Sequence, residues 1–167
     1  MAFSYSPKIV TDGLVFAVDA ANKKSYPGSG TTWTDLAGSN NGTLTNGPTF
    51  DSGNGGSIVF DGANDYAVYS NCPEYDFANA NFSAGCFFKS PESTNYIGLA
   101  GKINFGSGTA GWAFEFHQGK ITSWINNNLL SSPLTYNDNN WHHAFITHGD
   151  PSTGTRKIYV DGYEVAS

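Results

Sequence analysis

Apolar and polar residues alternate with a period of two along most of this chain, and the alternating stretches are separated by Gly, Asn, Asp and Pro. Successive side chains of a β-strand point to opposite faces of a sheet, so this period predicts strands with one buried face. No window of a dozen residues carries the apolar stripe of an amphipathic helix. We therefore predict an all-β chain folded as two packed antiparallel sheets, with about ten short strands: Leu14–Asp19, Ser57–Phe60, Tyr66–Ser70, Phe82–Lys89, Ile97–Ile103, Trp112–His117, Lys120–Asn126, Trp141–His148, Lys157–Val160 and Tyr163–Val165.

One hairpin is predicted at the C-terminal end of the chain. Asp161-Gly162 suits a two-residue turn, because both positions of such a turn need positive φ. This turn places Val160 opposite Tyr163 and Ile158 opposite Val165. We expect these four residues to share one buried face.

A second hairpin is predicted around Gln118-Gly119. Its turn sets three facing pairs that form a mostly apolar face: Phe116 with Ile121, Phe114 with Ser123, and Trp112 with Ile125. The opposite face carries a mixed set of side chains: Ala113, Glu115, His117, Lys120, Thr122 and Trp124.

Trp124 is the most informative residue of that second face, since a tryptophan among polar side chains is unusual on a plain solvated surface. One interpretation is a sugar-binding platform formed by Trp124, Glu115 and His117. The other is that Trp124 packs under a loop, for which Leu129–Asn140 is long enough. The sequence leaves both open.

The chain is predicted to form a single domain, residues 1–167, with residues 1–12 as an N-terminal arm. Between Asn22 and Gly56 it is rich in Gly, Ser, Thr and Asn, with apolar residues at wide intervals. We interpret this segment as an ordered loop excursion pinned by its apolar side chains.

Composition narrows the range of partners. Aromatic residues make up 15% of the chain and charged residues 13%, as in packed β-structure rather than a disordered tail. Fourteen acidic and eight basic residues give a net charge of −6 without a basic cluster, so nucleic acid is an unsuitable partner. We also expect no signal peptide and no membrane insertion, because long apolar runs are missing.

The reactive side chains do not suggest an enzyme. Glycosidases use two carboxyl groups roughly 5 to 9.5 Å apart, and none of the four glutamates begins the Glu-x-Asp-x-x-Glu pattern that would mark such a pair on a strand. His142 and His143 are adjacent, so on a strand they point to opposite faces and cannot bind one metal together. Cys72 and Cys86 are too few for a zinc site and are expected to be free thiols.

Four phrases of the sequence together resemble laminin-G-like domains of the concanavalin A-like lectin/glucanase superfamily. They are Gly13-Leu-Val-Phe-Ala-Val-Asp19, Thr32-Trp-Thr-Asp-Leu-Ala-Gly38 continued by Asn41-Gly-Thr-Leu44, Gly56-Ser-Ile-Val-Phe-Asp-Gly62, and Trp141-His-His-Ala-Phe-Ile-Thr147 followed by Ile158-Tyr-Val-Asp-Gly162. The resemblance implies a jelly-roll of two curved sheets, and that His142, His143 and His148 are structural. Relatives usually continue past the last phrase, so we expect either that this is a trimmed or partial chain lacking closing strands, or that a neighbouring subunit covers the open edge.

The phrases Trp33-Thr-Asp-Leu36 and Asn46-Gly-Pro-Thr-Phe50 resemble surface proteins of tailed bacteriophages. That resemblance implies a non-enzymatic virion protein, such as a capsid decoration, a fibre or a tail component, with a glycan-adhesion role. Its partners would be other virion proteins and cell-surface glycans, and it would lie on the virion surface, with homo-oligomers left open. The alternative is a glycan-binding, lectin-like module of a bacterial secreted or surface protein.

The superfamily resemblance also implies a candidate calcium site, because many members hold a structural Ca²⁺ ion on carboxylate and carbonyl oxygens. Asp19, Asp61 and Asp65 are the candidate ligands. Asp61-Gly62 and Asn64-Asp65 are equally well explained as turn residues that bond their own backbone. No cofactor is predicted to be required, and a structural calcium ion stays open.

Overall fold

The computed structural model describes residues 9–69, 72–77, 80–104, 110–149 and 154–167. The residues group into two compact units, Met1–Cys72 and Pro73–Ser167. Every strand pairing in the described residues is antiparallel, which confirms the predicted all-β class. The single domain stays a prediction, and residues 1–8 of the predicted N-terminal arm lie outside the described residues. The described part of the chain contains no helix long and apolar enough to cross a membrane.

The first unit contains short strands and one 3-10 turn. They are β1 (Thr32–Trp33), β2 (Gly42–Thr45), β3 (Thr49–Asp51), β4 (Ser57–Val59) and β5 (Tyr66–Tyr69), with the turn at Gly53–Gly55. β1, β2 and β5 form one sheet in that order, and β3 pairs with β4. Asn22–Gly56 was predicted as a loop excursion, but it contains β1, β2 and β3. Buried Leu44 is one of the apolar residues that pin this segment, and it lies on β2. Ser70, at the end of a predicted strand, lies outside the described residues.

Leu14–Asp19, predicted as a strand, is irregular, so that prediction is wrong. In a regular strand the backbone N–H groups would bond to a neighbouring strand, but here side chains accept hydrogen bonds from them. The Ala17 N–H donates to Asp35 Oδ1 at 3.0 Å, and the Asp19 N–H donates to Ser25 Oγ at 3.0 Å. Burial opposes ionisation of Asp35, but backbone N–H groups bonded to its carboxylate lower its pKa overall. Local hydrogen bonds to side chains thus replace strand pairing here.

The second unit contains a 3-10 turn at Pro73–Tyr75 and two four-stranded sheets. Sheet I has the order β10-β9-β8-β7, from β7 (Tyr96–Asn104), β8 (Ala110–His117), β9 (Lys120–Ile125) and β10 (Asn128–Ser131). Sheet II has the order β13-β12-β11-β6, from β6 (Phe82–Phe88), β11 (His142–His148), β12 (Arg156–Val160) and β13 (Tyr163–Ala166). This confirms the predicted two-sheet antiparallel arrangement.

The core of this unit lies between the two sheets. Each sheet contributes alternate residues of its strands, and the buried cluster is Trp112, Phe114, Phe116, Ile121 and Ile125 from sheet I with Phe88, Ala144, Ile146, Ile158 and Val160 from sheet II. The rings of Phe88 and Phe116 meet across the interface with centroids 5.4 Å apart. The hydrophobic contact between the sheets is therefore carried by the residues that the period of two places inward.

The Asp161-Gly162 hairpin departs from its predicted register. Val160 pairs with Tyr163 as predicted, but Ile158 pairs with Ala166 instead of Val165, because the pairing shifts between Ile158 and Tyr159. Such an irregularity adds a residue to one strand, which the turn alone does not reveal. Tyr163 is 76% exposed, so the expectation that all four residues are buried is wrong for Tyr163.

Two buried serines near β9 differ in whether their hydroxyl groups are bonded. Ser123 Oγ, in the core, has no hydrogen-bond partner among the described residues. Ser132 Oγ accepts from the Ile121 N–H at 3.1 Å and donates to the Leu134 carbonyl at 2.8 Å. An unbonded buried hydroxyl costs free energy, whereas a bonded one stabilises the fold.

We expect Ser123→Ala to raise the free energy of unfolding by up to about 1 kcal/mol, because it removes an unsatisfied polar group. Ser132→Ala is the matched control and should lower the same quantity by about 1–3 kcal/mol, since it leaves the buried Ile121 N–H without its acceptor. Urea denaturation of the three proteins measures both effects. A loss of stability in Ser123→Ala as large as in Ser132→Ala would contradict the prediction.

Candidate functional site

The β8–β9 hairpin places the predicted glycan-binding residues on one face. Gln118 and Gly119 both have positive φ, at 51° and 77°, as a tight two-residue turn requires. The predicted inward pairs, Phe116 with Ile121, Phe114 with Ser123 and Trp112 with Ile125, are all found. On the other side Ala113 pairs with Trp124, Glu115 with Thr122 and His117 with Lys120. Glu115, His117 and Trp124 therefore share the outer face of sheet I.

Trp124 is partly buried on this face. Its ladder partner on the next strand is Leu129, which is 49% exposed. The predicted loop Leu129–Asn140 is wrong for Leu129–Ser131, which belong to β10 and continue the sheet beside β9. These residues lie next to Trp124 in the sheet and do not cross over it.

Glu115 occupies the middle of the face between β7 and β9. Its facing residue on β9 is Thr122, and its facing residue on β7 is Gly98. Burial raises the pKa of Glu115, and the charge of His117 and the hydroxyl of Thr122 offset that effect only in part. A carboxyl group in this environment is a suitable hydrogen-bond partner for a neutral polar ligand.

His117 closes one end of the face together with a residue that the sequence analysis missed. The rings of Tyr96 and His117 stack with centroids 3.4 Å apart and 9° between their planes. The two residues are ladder partners, and Tyr96 is 64% exposed. The sequence contained part of the information needed to find Tyr96. This residue immediately precedes the predicted strand Ile97–Ile103, and it is two positions from Gly98, so both residues point to the same face of the sheet.

Gly98 leaves the floor beside Glu115 open. A Cβ atom at this position would meet no heavy atom within 4 Å. We call the set Tyr96, Gly98, Glu115, His117 and Trp124 the outer strip. At Gly98 the strip has no side chain, and the rings of Tyr96 and His117 and the carboxyl group of Glu115 lie beside this position. The pairing of β7 with β8 that creates this arrangement was not predictable from the sequence.

The predicted calcium ligands are engaged by their own turns. Asp19 Oδ1 accepts from the Ala21 N–H at 2.9 Å, and Asp61 Oδ1 accepts from the Ala63 N–H at 2.8 Å. Asp65 Oδ2 accepts from the Asp61 N–H at 3.0 Å. In the described ranges no three His, Cys, Asp or Glu side chains form a group that could hold a metal ion. A structural calcium ion on Asp19, Asp61 and Asp65 stays a prediction.

The remaining reactive side chains are the three histidines of β11, in the second unit, and the two cysteines. His142 lies beside Phe88 and His143 beside Phe87, on opposite faces of β11. The ring of buried His148 lies 2.9 Å from the Ala80 carbonyl through Nδ1. Neither Cys72 nor Cys86 forms a disulfide, and burial raises the pKa of Cys86 to about 12, so the Cys86 thiol is a poor nucleophile.

The comparisons with known proteins identify a family but no individual relative. A family model of laminin G type, described as the concanavalin A-like lectin/glucanases superfamily, matches residues 61–167, well over half of the chain. No curated protein and no solved structure matches this chain. The superfamily predicted from the sequence is confirmed, while the bacteriophage type stays a prediction. The chain belongs to the concanavalin A-like lectin/glucanases superfamily.

Proposed function

We propose that this chain is a non-catalytic glycan-binding module displayed on a surface, and that the outer strip is its contact site. The observation that carries this proposal is the open floor at Gly98 beside Glu115 and the Tyr96–His117 ring pair, with Trp124 on the same face of sheet I. A shallow site with aromatic walls and a few polar groups is suited to sugars.

The chemistry of the strip supports this class of ligand. The apolar C–H faces of a pyranose pack on aromatic rings, and the indole of Trp124 and the ring of Tyr96 supply such surfaces. Sugar hydroxyls need hydrogen-bond partners, which Glu115 and His117 provide. Because Glu115 is partly desolvated, its hydrogen bonds are worth more than those of a fully solvated carboxylate.

The arrangement of acids supports binding without catalysis. Glycosidases require two carboxyl groups on either side of the scissile bond, roughly 5 to 9.5 Å apart. The strands of sheet I contain one acidic residue, Glu115, whose facing residues are Gly98 and Thr122. The proposed module therefore holds a sugar without cleaving it.

The setting we propose is the surface of a tailed-bacteriophage virion, where the chain contacts other capsid or tail proteins. The support is the resemblance carried by Trp33-Thr-Asp-Leu36 and Asn46-Gly-Pro-Thr-Phe50. A net charge of −6 would keep subunits soluble before assembly. Mass spectrometry of purified particles tests this setting, and a chain found only in cell extract would exclude it. The outer strip serves equally in the alternative, a module of a bacterial secreted or surface protein.

We expect Trp124→Ala to weaken glycan binding about tenfold or more, as for truncation of an aromatic residue central to a contact. A glycan array selects a ligand, and calorimetry of wild type and variant measures the change. Phe87→Ala is the matched control, because Phe87 is an exposed aromatic residue on sheet II. The Phe87→Ala protein should bind the glycan with the affinity of wild type. Equal affinity of the Trp124 variant and wild type would exclude the outer strip as the site.

Sugar release distinguishes binding from hydrolysis. The comparison variant in this experiment is Glu115→Gln, which keeps the shape of the side chain and removes its acidic group. Incubation of wild type with the bound glycan should release no reducing ends, whereas release that disappears in Glu115→Gln would overturn the non-catalytic assignment.

A further inference from the structure

The imidazole ring of His142 lies between two carboxylates. Its Nδ1 is 2.8 Å from Asp161 Oδ2, and its Nε2 is 3.0 Å from Asp138 Oδ1. The side chain of His142 is only 12% exposed. A neutral imidazole has a single N–H donor, so both contacts are hydrogen bonds only when the ring is protonated on both nitrogens.

The two carboxylates belong to different parts of the unit. Asp161 is the first residue of the turn between β12 and β13, and its Oδ1 also accepts from the His143 N–H at 2.9 Å. Asp138 lies in the loop between β10 and β11, and its Oδ1 accepts from the Asn140 N–H. The ring of His142 therefore links the loop to the hairpin turn.

The same loop is tied to the β8–β9 turn at its other end. The Tyr136 N–H donates to the Gly119 carbonyl at 2.6 Å. A Cβ at Gly119 would be 2.9 Å from Asn137 Oδ1, which shows how closely the loop lies against the turn. This turn follows His117, the end of the outer strip. Residues 136–138 thus span the distance from the outer strip to His142.

The groups that face His142 come from three elements. Asp138 and Tyr136 face it from the loop, with the Tyr136 ring edge-on at 5.4 Å. Asp161 faces it from the turn, and Phe88 packs on it from β6 at 5.7 Å. The adjacent His143 interacts electrostatically with Asp161. Both charged groups bonded to the ring are acidic, so they favour its protonated form.

Among His142, Asp138 and Asp161, the imidazole ring of His142 is the group whose charge changes as the pH rises. Burial disfavours the charged ring, but the hydrogen bonds and charges of Asp161 and Asp138 outweigh it and raise the pKa of His142. Hydrogen bonds from Asn140 and His142 lower the pKa of Asp138 to about 2. Burial tends to raise the pKa of Asp161, but hydrogen bonds from the His142 ring and the His143 N–H outweigh this effect, so the pKa of Asp161 is lowered. Both carboxylates therefore stay ionised while His142 titrates.

We propose that His142 is a proton-operated latch. As an imidazolium it holds Asp138 and Asp161 at once, and on losing a proton it releases one of them, which loosens loop residues 136–140 beside the end of the outer strip. Because the folded pKa lies above the ordinary value, the stabilisation is complete below about pH 6.5 and is lost as the pH rises through the folded pKa. The latch is a property of the fold and does not depend on whether the outer strip binds a glycan.

The test is amide hydrogen exchange of the intact protein between pH 5.5 and 9, with rates referred to an unstructured peptide at each pH. We expect the protection of residues 136–140 to fall by about threefold to tenfold across the titration of His142, while the core strands stay unchanged. Direct observation of the His142 ring by NMR locates the same midpoint.

His142→Gln is the decisive variant, because it is neutral at every pH and should remove the step in loop protection. His143→Gln is its matched control, since His143 points to the opposite face and its variant should keep the step. Asp138→Asn should also remove the step, and it replaces His142→Gln if that protein does not fold. Constant protection of the loop in wild type, or a step that persists in His142→Gln, would overturn the latch.

Discussion

Replacing Phe116 with alanine should lower the free energy of unfolding by about 3–5 kcal/mol, the largest effect expected of any single side-chain truncation in this protein. Phe116 is fully buried between the two sheets and packs against Phe88 at 5.4 Å between ring centroids. Truncation removes its apolar contacts and leaves a cavity that packed sheets do not refill. Guanidinium denaturation with linear extrapolation measures the loss.

Phe87→Ala is the control for this prediction, because it makes the same chemical change on an outward position. Phe87 is 74% exposed, and its facing residue is His143 on β11. We expect its free energy of unfolding to stay within about 0.5 kcal/mol of wild type. Comparable losses for the two variants would mean that Phe116 is not in the core.

Gly111→Ala should lower the free energy of unfolding by about 3 kcal/mol or more, or prevent folding. The φ of Gly111 is +127°, a conformation that residues with a side chain rarely adopt. A Cβ at this position would overlap the Lys102 carbonyl oxygen and lie 2.9 Å from Ile103 Cα. Both obstacles are backbone atoms of the paired strand β7, so the β7–β8 ladder would have to move. Thermal unfolding followed by circular dichroism, with denaturant curves, measures the effect.

Gly98→Ala tests whether this cost comes from the surroundings or from glycine itself. Gly98 also lies in the β7–β8 ladder, but a Cβ there would meet nothing within 4 Å. We expect a change within about 0.5 kcal/mol. Destabilisation of Gly98→Ala as large as that of Gly111→Ala would contradict the steric argument.

The β8–β9 hairpin was the most predictable element of the fold. Its turn sequence Gln118-Gly119 fixes which residues face each other, and once the register is set the period of two decides which side chains share a face. The pairs Phe116–Ile121 and Trp112–Ile125 therefore follow from the sequence and are found in the structure. Glu115, His117 and Trp124 were placed on one face by the same reasoning.

Elements whose partners are distant in sequence were less predictable. Leu14–Asp19 has the alternation of a strand, yet its backbone is bonded by side chains such as Asp35, which is 18 residues away from Ala17. Local pattern does not report this outcome, because the hydrogen bonds that decide it come from elsewhere in the chain. Asn128–Ser131 was missed for another reason: it follows β9 directly through a turn in which Asn126 and Asn127 both have positive φ, but it has a polar start and no strong alternation.

The sequence by itself determined the all-β class, the inward residues of β8 and β9 and the common face of Glu115, His117 and Trp124, because alternation and turn chemistry are local properties. Only the tertiary structure brought Tyr96 and Gly98 beside Glu115, since an irregular register between β7 and β8 decides that alignment. It alone also joined Asp138 and Asp161 through His142, 19 residues from Asp161 along the chain. Contacts of this kind depend on how strands stack and pair, which no short stretch of residues encodes.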